Sequence, residues 1–213
     1  MAAPPHRVER ADAARNRQRV LAAAEELFAR HGAHNVTMED IARAAGVGKG
    51  TLYRRYPDRA SIAVALLDEH ERALQERLLS GPPPLGPGAP AHERLAAFYA
   101  AMVDLLERHI HLALGAERGD RRFATGAYGF WRAHVHALIS ASRGVEERPA
   151  PPGAGGSSAA SDAGVVDATV DALLAPLAPE LYAYQRQRRG RSTAEITTAL
   201  AELAHAVLGS PGA

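Results

Sequence analysis

The side chains with the clearest chemical character lie close together, in residues 49–55. The segment offers one ammonium group, two guanidinium groups, two hydroxyl groups and one position without a side chain. These are contributed by Lys49, Gly50, Thr51, Tyr53, Arg54 and Arg55. Such donors suit phosphate oxygens and base edges, and a glycine lets a ligand approach the backbone closely. The segment therefore indicates a surface for a polyanionic groove rather than the buried face of a helix.

Two short helices separated by a sharp turn must position this segment. Thr37 can cap the first helix, and Asp40, three residues later, completes a pair resembling a capping box. Ala42 is small where the helices cross, Gly46 allows the turn, and Val47 fills the core. This is the spacing of a helix-turn-helix, which presents its second helix outward.

Apolar residues recur at helical spacing along most of the chain, and no segment has the alternating pattern of a strand. The predicted helices cover residues 14–31, a short segment after 37, 47–56, 58–80, 91–114, 122–143, 163–189 and 193–208, with the prolines at 176 and 179 as candidate breaks. Residues 81–90 contain too much proline for regular helix. The sequence therefore predicts an all-α protein.

The composition excludes several classes of protein. The chain of 213 residues is 46% hydrophobic and 23% charged, which is typical of a soluble globular protein. The absence of cysteine excludes disulfide scaffolds, cysteine zinc sites and thiol catalysis. Since no apolar run is long enough for a membrane span and no signal peptide is evident, we expect a cytoplasmic protein without membrane contact.

Charge is distributed unevenly along the chain. Residues 1–60 contain 11 Lys and Arg against 7 Asp and Glu, whereas residues 61–213 contain 14 against 17. Positive charge clustered at one end is expected of a nucleic-acid contact, although a solvated basic face has the same composition.

Residues 20–59 resemble the TetR family of transcriptional repressors. The resemblance rests on the long first helix, Thr37, Ile41-Ala42, Gly46-Val47, residues 49–53 and Tyr56-Pro57-Asp58-Arg59. Beyond this segment the likeness is limited to helical character and length. The resemblance implies an all-α homodimer in which two helix-turn-helix motifs bind a palindromic operator and release it when a ligand enters the C-terminal domain.

The resemblance also implies roles for single residues. Thr37 and Tyr53 correspond to phosphate contacts, and Lys49 and Gly50 to the base-reading edge, with Thr51 beside them. Arg59 stands where the family usually has lysine, at a helix N-terminus that favours anions.

Two departures from the family pattern bear on base preference. Gly48 replaces the commoner serine cap of the recognition helix, and Arg54-Arg55 replace a frequent histidine or aromatic residue. Both arginines are candidates for additional phosphate contacts. Arg7, Arg10, Arg15, Arg17 and Arg19 near the N-terminus could reach a minor groove, or could simply be solvated.

On this basis we predict a flexible arm at residues 1–12, a helix-turn-helix DNA-binding domain at 13–58 and a ligand-sensing, dimerising helical domain at 59–213. Residues 144–162 are rich in Pro, Gly, Ser and Ala and are expected to form a disordered loop. Apolar stripes on the last two helical segments could pair two subunits or be buried within one.

A group of aromatic, sulfur and imidazole side chains is a candidate effector site, because such sites are mostly apolar with few polar anchors. Its members are Phe98, Met102, His109, Tyr128, Trp131 and His134. Core packing explains each of them equally well.

Catalysis and metal binding find no support. His109 and His111, and likewise His134 and His136, lie two residues apart, which on a helix directs them to nearly opposite faces. No nucleophile triad or phosphate-binding glycine loop is present, so we expect neither an enzyme nor a cofactor.

The sequence thus predicts a ligand-responsive repressor whose partners are duplex DNA, a small apolar effector and a second copy of the chain. Two alternatives stay open. One is a DNA-binding regulator without a ligand. The other is a helical carrier or enzyme that uses the N-terminal motif for protein contacts.

Overall fold

A computed structural model describes residues 5–32, 35–116, 126–144 and 156–209, with side chains from residue 12 onward except at 115–116 and 156–161. The α-helices are α1 (Pro5–His31), α2 (Met38–Ala45), α3 (Lys49–Arg55), α4 (Arg59–Ser80), α5 (Ala91–Ala116), α6 (Gly126–Ser142), α7 (Gly156–Leu174), α8 (Pro179–Gln187) and α9 (Thr193–Leu208). The predicted all-α class is confirmed for these residues. Among them, no helix combines the length and apolar character needed to cross a bilayer.

The chain divides into two compact units, an N-terminal unit (Met1–Glu69) and a C-terminal unit (His70–Ala213). Helix α4 contributes residues to both. In the N-terminal unit, α1 packs on α2 and α2 on α3. Their shared core contains Ala24, Phe28, Ile41 and Leu52, all nearly inaccessible to solvent. This core fixes the orientation of α3.

Two helices are longer than the sequence predicts. Helix α1 begins at Pro5, within the segment predicted as an arm, because proline suits the first helical position and the Arg, Glu and Ala that follow favour helix. Helix α7 begins at Gly156, within the predicted loop 144–162. Residues 1–4 and 145–155, on which the rest of these two predictions falls, lie outside the described residues.

Helix α5 is the centre of the C-terminal unit and packs against α6, α8 and α9. The buried Tyr99 hydroxyl donates to the Leu173 carbonyl of α7 at 2.8 Å. Further along α5, the Glu107 carboxylate accepts from the Arg186 guanidinium of α8 at 2.6 and 2.9 Å and also from the Tyr182 hydroxyl. The hydroxyls of the buried Tyr99 and Tyr182 side chains thus have partners, whereas the Glu107–Arg186 ion pair is solvent-accessible.

The predicted break at the prolines is confirmed. A 3-10 turn, Ala175–Leu177, separates α7 from α8, and Pro179 occupies the first turn of α8. Helix α9 then begins at a capping box in which the Ser192 hydroxyl accepts from the Glu195 amide at 3.1 Å.

The apolar stripes of the last helices are mostly buried within the subunit. On α9, Ile196 and Leu200 are covered, and this helix packs on α5. Three large apolar side chains of α8 and α9 remain exposed: Leu181, Tyr184 and Val207.

Candidate nucleic-acid interface

Helix α2 begins at the predicted capping box, which the structure confirms. The Asp40 amide donates to the Thr37 hydroxyl at 3.1 Å, and the Thr37 amide donates to the Asp40 carboxylate at 3.1 Å. The Thr37 hydroxyl also donates to this carboxylate at 2.6 Å. These bonds from Thr37 hold the pKa of Asp40 below its ordinary value. Thr37 is exposed, and its one hydroxyl proton is directed to Asp40.

The turn between α2 and α3 depends on a left-handed glycine. Gly46 has φ +60° and ψ +39°, and its N–H points to the carbonyls of Ala42 and Arg43. The Val47 amide also donates to Ala42, at 3.0 Å. Non-glycine residues rarely adopt this conformation, so residue 46 sets the angle at which α3 leaves α2.

An arginine of α1 holds the same turn from outside. Arg19 Nη2 donates to the Gly46 carbonyl at 2.9 Å, and a Cβ built at residue 46 would lie 2.5 Å from that nitrogen. The left-handed conformation therefore favours glycine here, and a Cβ would in addition force the end of the Arg19 side chain to move. Nothing local in the sequence links residue 19 to residue 46, so this contact of Arg19 does not follow from residue spacing.

Two more of the five arginines near the N-terminus bind partners within the N-terminal unit. Arg15 pairs with Asp12, and Arg17 pairs with Glu69. Arg7 and Arg10 lie outside the residues whose side chains are described.

Helix α3 turns one apolar side chain inward and its polar side chains outward. Leu52 is buried, as is Tyr56 just after the helix, whereas Tyr53 is 42% exposed. The other outward residues are also exposed: Lys49, Gly50, Thr51, Arg54 and Arg55. Gly48 caps the helix without a side-chain bond. Six of the predicted contact residues therefore share one accessible helix, whereas Thr37 lies at the start of α2 and Arg59 at the start of α4.

Lys49 is held by a neighbour on α2. Its Nζ donates to Glu39 Oε1 at 3.2 Å. The backbone of Glu39 itself and then Lys49 lower the pKa of this carboxyl. The pair is solvated on both sides, so a phosphate or a base edge can replace the carboxylate at little cost.

Gly50 has no role in packing. A Cβ at this position would meet no described atom within 4 Å, and its φ is not in the left-handed region. Unlike Gly46, it serves neither a turn nor a close contact within the chain. Its bare backbone therefore leaves room for a partner outside the chain.

Arg59 lies in a different position from the exposed arginines of α3. Its Nη1 donates to the Val36 carbonyl at 2.9 Å, and the side chain is partly buried. This bond fixes the residue before the Thr37 cap. Arg55 lies 5.9 Å from the Tyr56 ring centroid. The start of α4 is capped by Asp58, which accepts from the Ser61 amide at 2.8 Å.

The candidate effector residues do not all meet in the C-terminal unit. The Phe98 ring centroid lies 5.6 Å from Trp131 and 5.4 Å from His134, and Met102 is buried one turn beyond Phe98 on α5. Tyr128 contacts Asp171 at 3.3 Å, beside the Arg132 ion pairs that join α6 to α7.

His109 belongs to a separate contact. Its ring stacks on His70 with centroids 3.9 Å apart, at a residue where α5 departs from helical backbone angles. Burial first, and then His70, lower the pKa of His109 to about 4. Eleven residues separate it from Phe98, about 16 Å along a helix, so His109 lies apart from the aromatic group.

Known proteins match the N-terminal segment by sequence. Residues 20–66 match the family model described as bacterial regulatory proteins, tetR family. An HTH-type transcriptional regulator of Staphylococcus aureus strain USA300 is 43% identical over 53 residues. These residues are 25% of this chain and 29% of that relative, so the similarity spans less than a third of either.

Solved structures match most of the chain by fold. FadR from Bacillus subtilis, in complex with stearoyl-CoA, gives a TM-score of 0.58 at 17% identity and covers 90% of this chain and 98% of its own. NalD, the secondary repressor of the MexAB-OprM multidrug efflux pump in Pseudomonas aeruginosa, gives 0.53 at 20% identity, covering 94% and 99%. At such identities the similarity establishes a shared fold.

Proposed function

We propose that the chain is a transcriptional regulator of the TetR family, whose model matches residues 20–66. Two copies bind a palindromic DNA operator through α3 and release it when a small apolar molecule binds the C-terminal unit. Binding across a promoter would make the protein a repressor.

The observation that carries the proposal is the outward face of α3. Its cations and hydroxyls are exposed on a helix anchored by buried Leu52 and by the turn at Gly46. Lys49 beside Gly50 can enter a major groove, where ammonium groups pair with guanine acceptors. Tyr53, Arg54 and Arg55 supply donors for the flanking phosphates, and the Thr37 hydroxyl supplies another once it rotates away from Asp40.

A dimer is supported by two considerations. A helix of seven residues reads few bases, and two-fold pairing doubles the contacts at half-sites about 34–36 Å apart. Leu181, Tyr184 and Val207 are exposed apolar side chains of α8 and α9. Such side chains are suited to burial against a second copy.

The proposed release acts through α4, which contributes residues to both units. A ligand among the helices of the C-terminal unit would displace α4 and change the separation of the paired α3 helices. Because the half-site spacing is fixed, a small displacement is sufficient to lower affinity.

The test begins with selection of bound fragments from the genome that encodes the protein, followed by fluorescence anisotropy on the selected duplex. Replacing Lys49 by Ala should weaken binding by about 1–3 kcal/mol, because a base contact is lost. Tyr53→Phe should weaken binding less and equally on all sequences, because it removes only a phosphate contact.

Arg30→Ala is the matched control. Arg30 is an exposed cation at the C-terminal end of α1, and it pairs with Glu26 one turn earlier on the same helix. This variant should bind like the unmodified protein, with the same steep salt dependence. If Lys49→Ala and Arg30→Ala bound equally well, or if no fragment were selected, the proposed function would be wrong.

A further inference from the structure

Arg94 and His134, in the C-terminal unit, each have a buried side-chain nitrogen without a hydrogen-bond partner among the described residues. These nitrogens are Nε of Arg94, in the first turn of α5, and Nε2 of His134, in the middle of α6. Buried donors without partners are rare, because each has lost water and gained nothing in return. Two such atoms on packed neighbouring helices indicate groups kept for a ligand.

The surroundings of this pair are apolar. The Phe98 ring lies 5.4 Å from His134 and 5.6 Å from Trp131, centroid to centroid. Phe98 is fully buried, and Trp131 is 5% exposed. The His134 imidazole thus lies beside an aromatic group, and Arg94 is one turn before Phe98 on α5. An apolar lining with a few polar groups is the usual composition of a site for an apolar molecule with one polar end.

The charge of the pair defines the complementary group. Burial first, and then the charge of Arg94, lower the pKa of His134 to about 4, so His134 is neutral at pH 7. Arginine side chains are cations in proteins, and within the described part of the chain Arg94 forms no salt bridge. The pair therefore carries one positive charge, which a monovalent anion would balance and a dianion would exceed.

We propose that Arg94 and His134 bind the carboxylate of an otherwise apolar molecule, whose body lies against Phe98 and Trp131. One carboxylate oxygen accepts from Arg94 Nε–H and the other from Nε2–H of neutral His134. Guanidinium and carboxylate match in both charge and geometry. The site itself does not depend on the proposed function. Only the identification of the bound molecule as the effector rests on that function.

Trp131 is the only tryptophan in the chain, so its emission reports directly on this site. The full chain is titrated with decanoate and with 4-phenylbutanoate, and each is compared with the alcohol of the same skeleton, decan-1-ol or 4-phenylbutan-1-ol. We expect saturable changes in emission and at least tenfold tighter binding of an acid than of its alcohol. Which acid binds identifies the apolar body as a chain or a ring.

Arg94→Gln keeps a polar side chain and removes the charge. It should weaken binding of the acid at least tenfold and leave binding of the alcohol unchanged, which also shows that the variant is folded. Arg108→Gln, an exposed arginine on the same helix that pairs with Asp104, is the control and should bind like the unmodified protein. Equal affinity for acid and alcohol, no saturable binding of either acid, or no effect of Arg94→Gln would overturn the proposal.

A second readout is independent of Trp131. In protein labelled with ¹⁵N-histidine, the acid should shift one imidazole signal that is missing from the His134→Phe variant, and an unshifted signal would contradict the assignment.

Operator binding separates this proposal from the proposed function. Acid that binds at Arg94 without releasing DNA would refute the effector role and leave the site standing, whereas absence of DNA binding would refute the function alone.

Discussion

The two units place their chemistry in opposite environments. In the N-terminal unit the functional candidates are exposed side chains on the short helices α2 and α3, held by a capping box, a left-handed glycine and one arginine contact. In the C-terminal unit the candidates are buried, among them Phe98, Trp131 and His109. The candidate side chains of the first unit are solvated, and most of those of the second are excluded from solvent.

This difference predicts how each unit responds to perturbation. Exposed charges change affinity for DNA with little effect on folding, because surface ion pairs contribute little to stability. Buried polar groups affect folding directly, because they lose water on burial. Four experiments test the contrast.

The largest expected effect is acid destabilisation of the C-terminal unit. The folded pKa of His109 and of His134, about 4, lies below the ordinary 6.5. The unfolded chain therefore binds more protons between these values, and stability is lost as pH falls from about 6.5 to about 4. At pH 5 each histidine should lower the free energy of unfolding by up to about 2 kcal/mol, measured by urea unfolding followed by Trp131 fluorescence.

His136 provides the control for this experiment. It is exposed on the same helix, two residues from His134. His134→Phe should reduce the dependence of stability on pH, whereas His136→Gln should leave it unchanged. The same dependence in all three proteins would show that buried histidines do not distinguish the C-terminal unit.

The second effect concerns the turn of the N-terminal unit. Gly46→Ala places a side chain at φ +60° and against Arg19. It should cost about 1–2 kcal/mol of stability. Hydrogen exchange by mass spectrometry should show faster exchange in α2 and α3 and unchanged exchange in α5. Unchanged exchange in α2 and α3 would mean that the turn does not hold the interface.

The third effect is the loss of one buried hydroxyl. Tyr99→Phe leaves the Leu173 carbonyl without its donor, at a cost of about 1 kcal/mol. Tyr184, which is 49% exposed, is the matched control, and Tyr184→Phe should change nothing. Both are compared by thermal unfolding, and equal melting temperatures would argue that the buried bond is not stabilising.

The smallest effect separates folding from binding at one residue. Gly50→Ala adds a methyl group in open space within a helix. It should leave stability unchanged or raise it by about 0.5 kcal/mol. Operator affinity should fall nonetheless, since the methyl group occupies the proposed approach of the DNA. Unchanged affinity would remove Gly50 from the interface.

The same contrast explains what the sequence could predict. The Thr37–Asp40 box, the glycine turn and buried Leu52 follow from spacings of a few residues, so local rules were sufficient to predict them. Likewise α4, α5 and α9 begin within one residue of prediction, because proline or a cap marks each start. The resemblance of residues 20–59 to a known family added the roles of single side chains, which remain predictions.

Contacts between distant residues could not be predicted in this way. Arg19 contacts Gly46, 27 residues away in the sequence, and Arg59 contacts Val36, 23 residues away. No local sequence pattern identifies the partner of an arginine. The His70–His109 stack and the unpartnered nitrogens of Arg94 and His134 likewise exist only once helices pack. The start of α7 differs from the prediction because the segment contains several Ala residues, and Ala has the highest intrinsic helix propensity although it is also common in loops.

Lys49 is the only lysine in the chain and lies on the exposed face of α3. An amine-directed acylating reagent used near neutral pH would thus find a single ε-amino target among the side chains. Acylation would remove the positive charge of Lys49, which now pairs with Glu39. Bound duplex should shield that amine from the reagent. The extent of this one covalent modification would therefore report how much of the α3 surface is occupied by DNA, in a protein without any substitution.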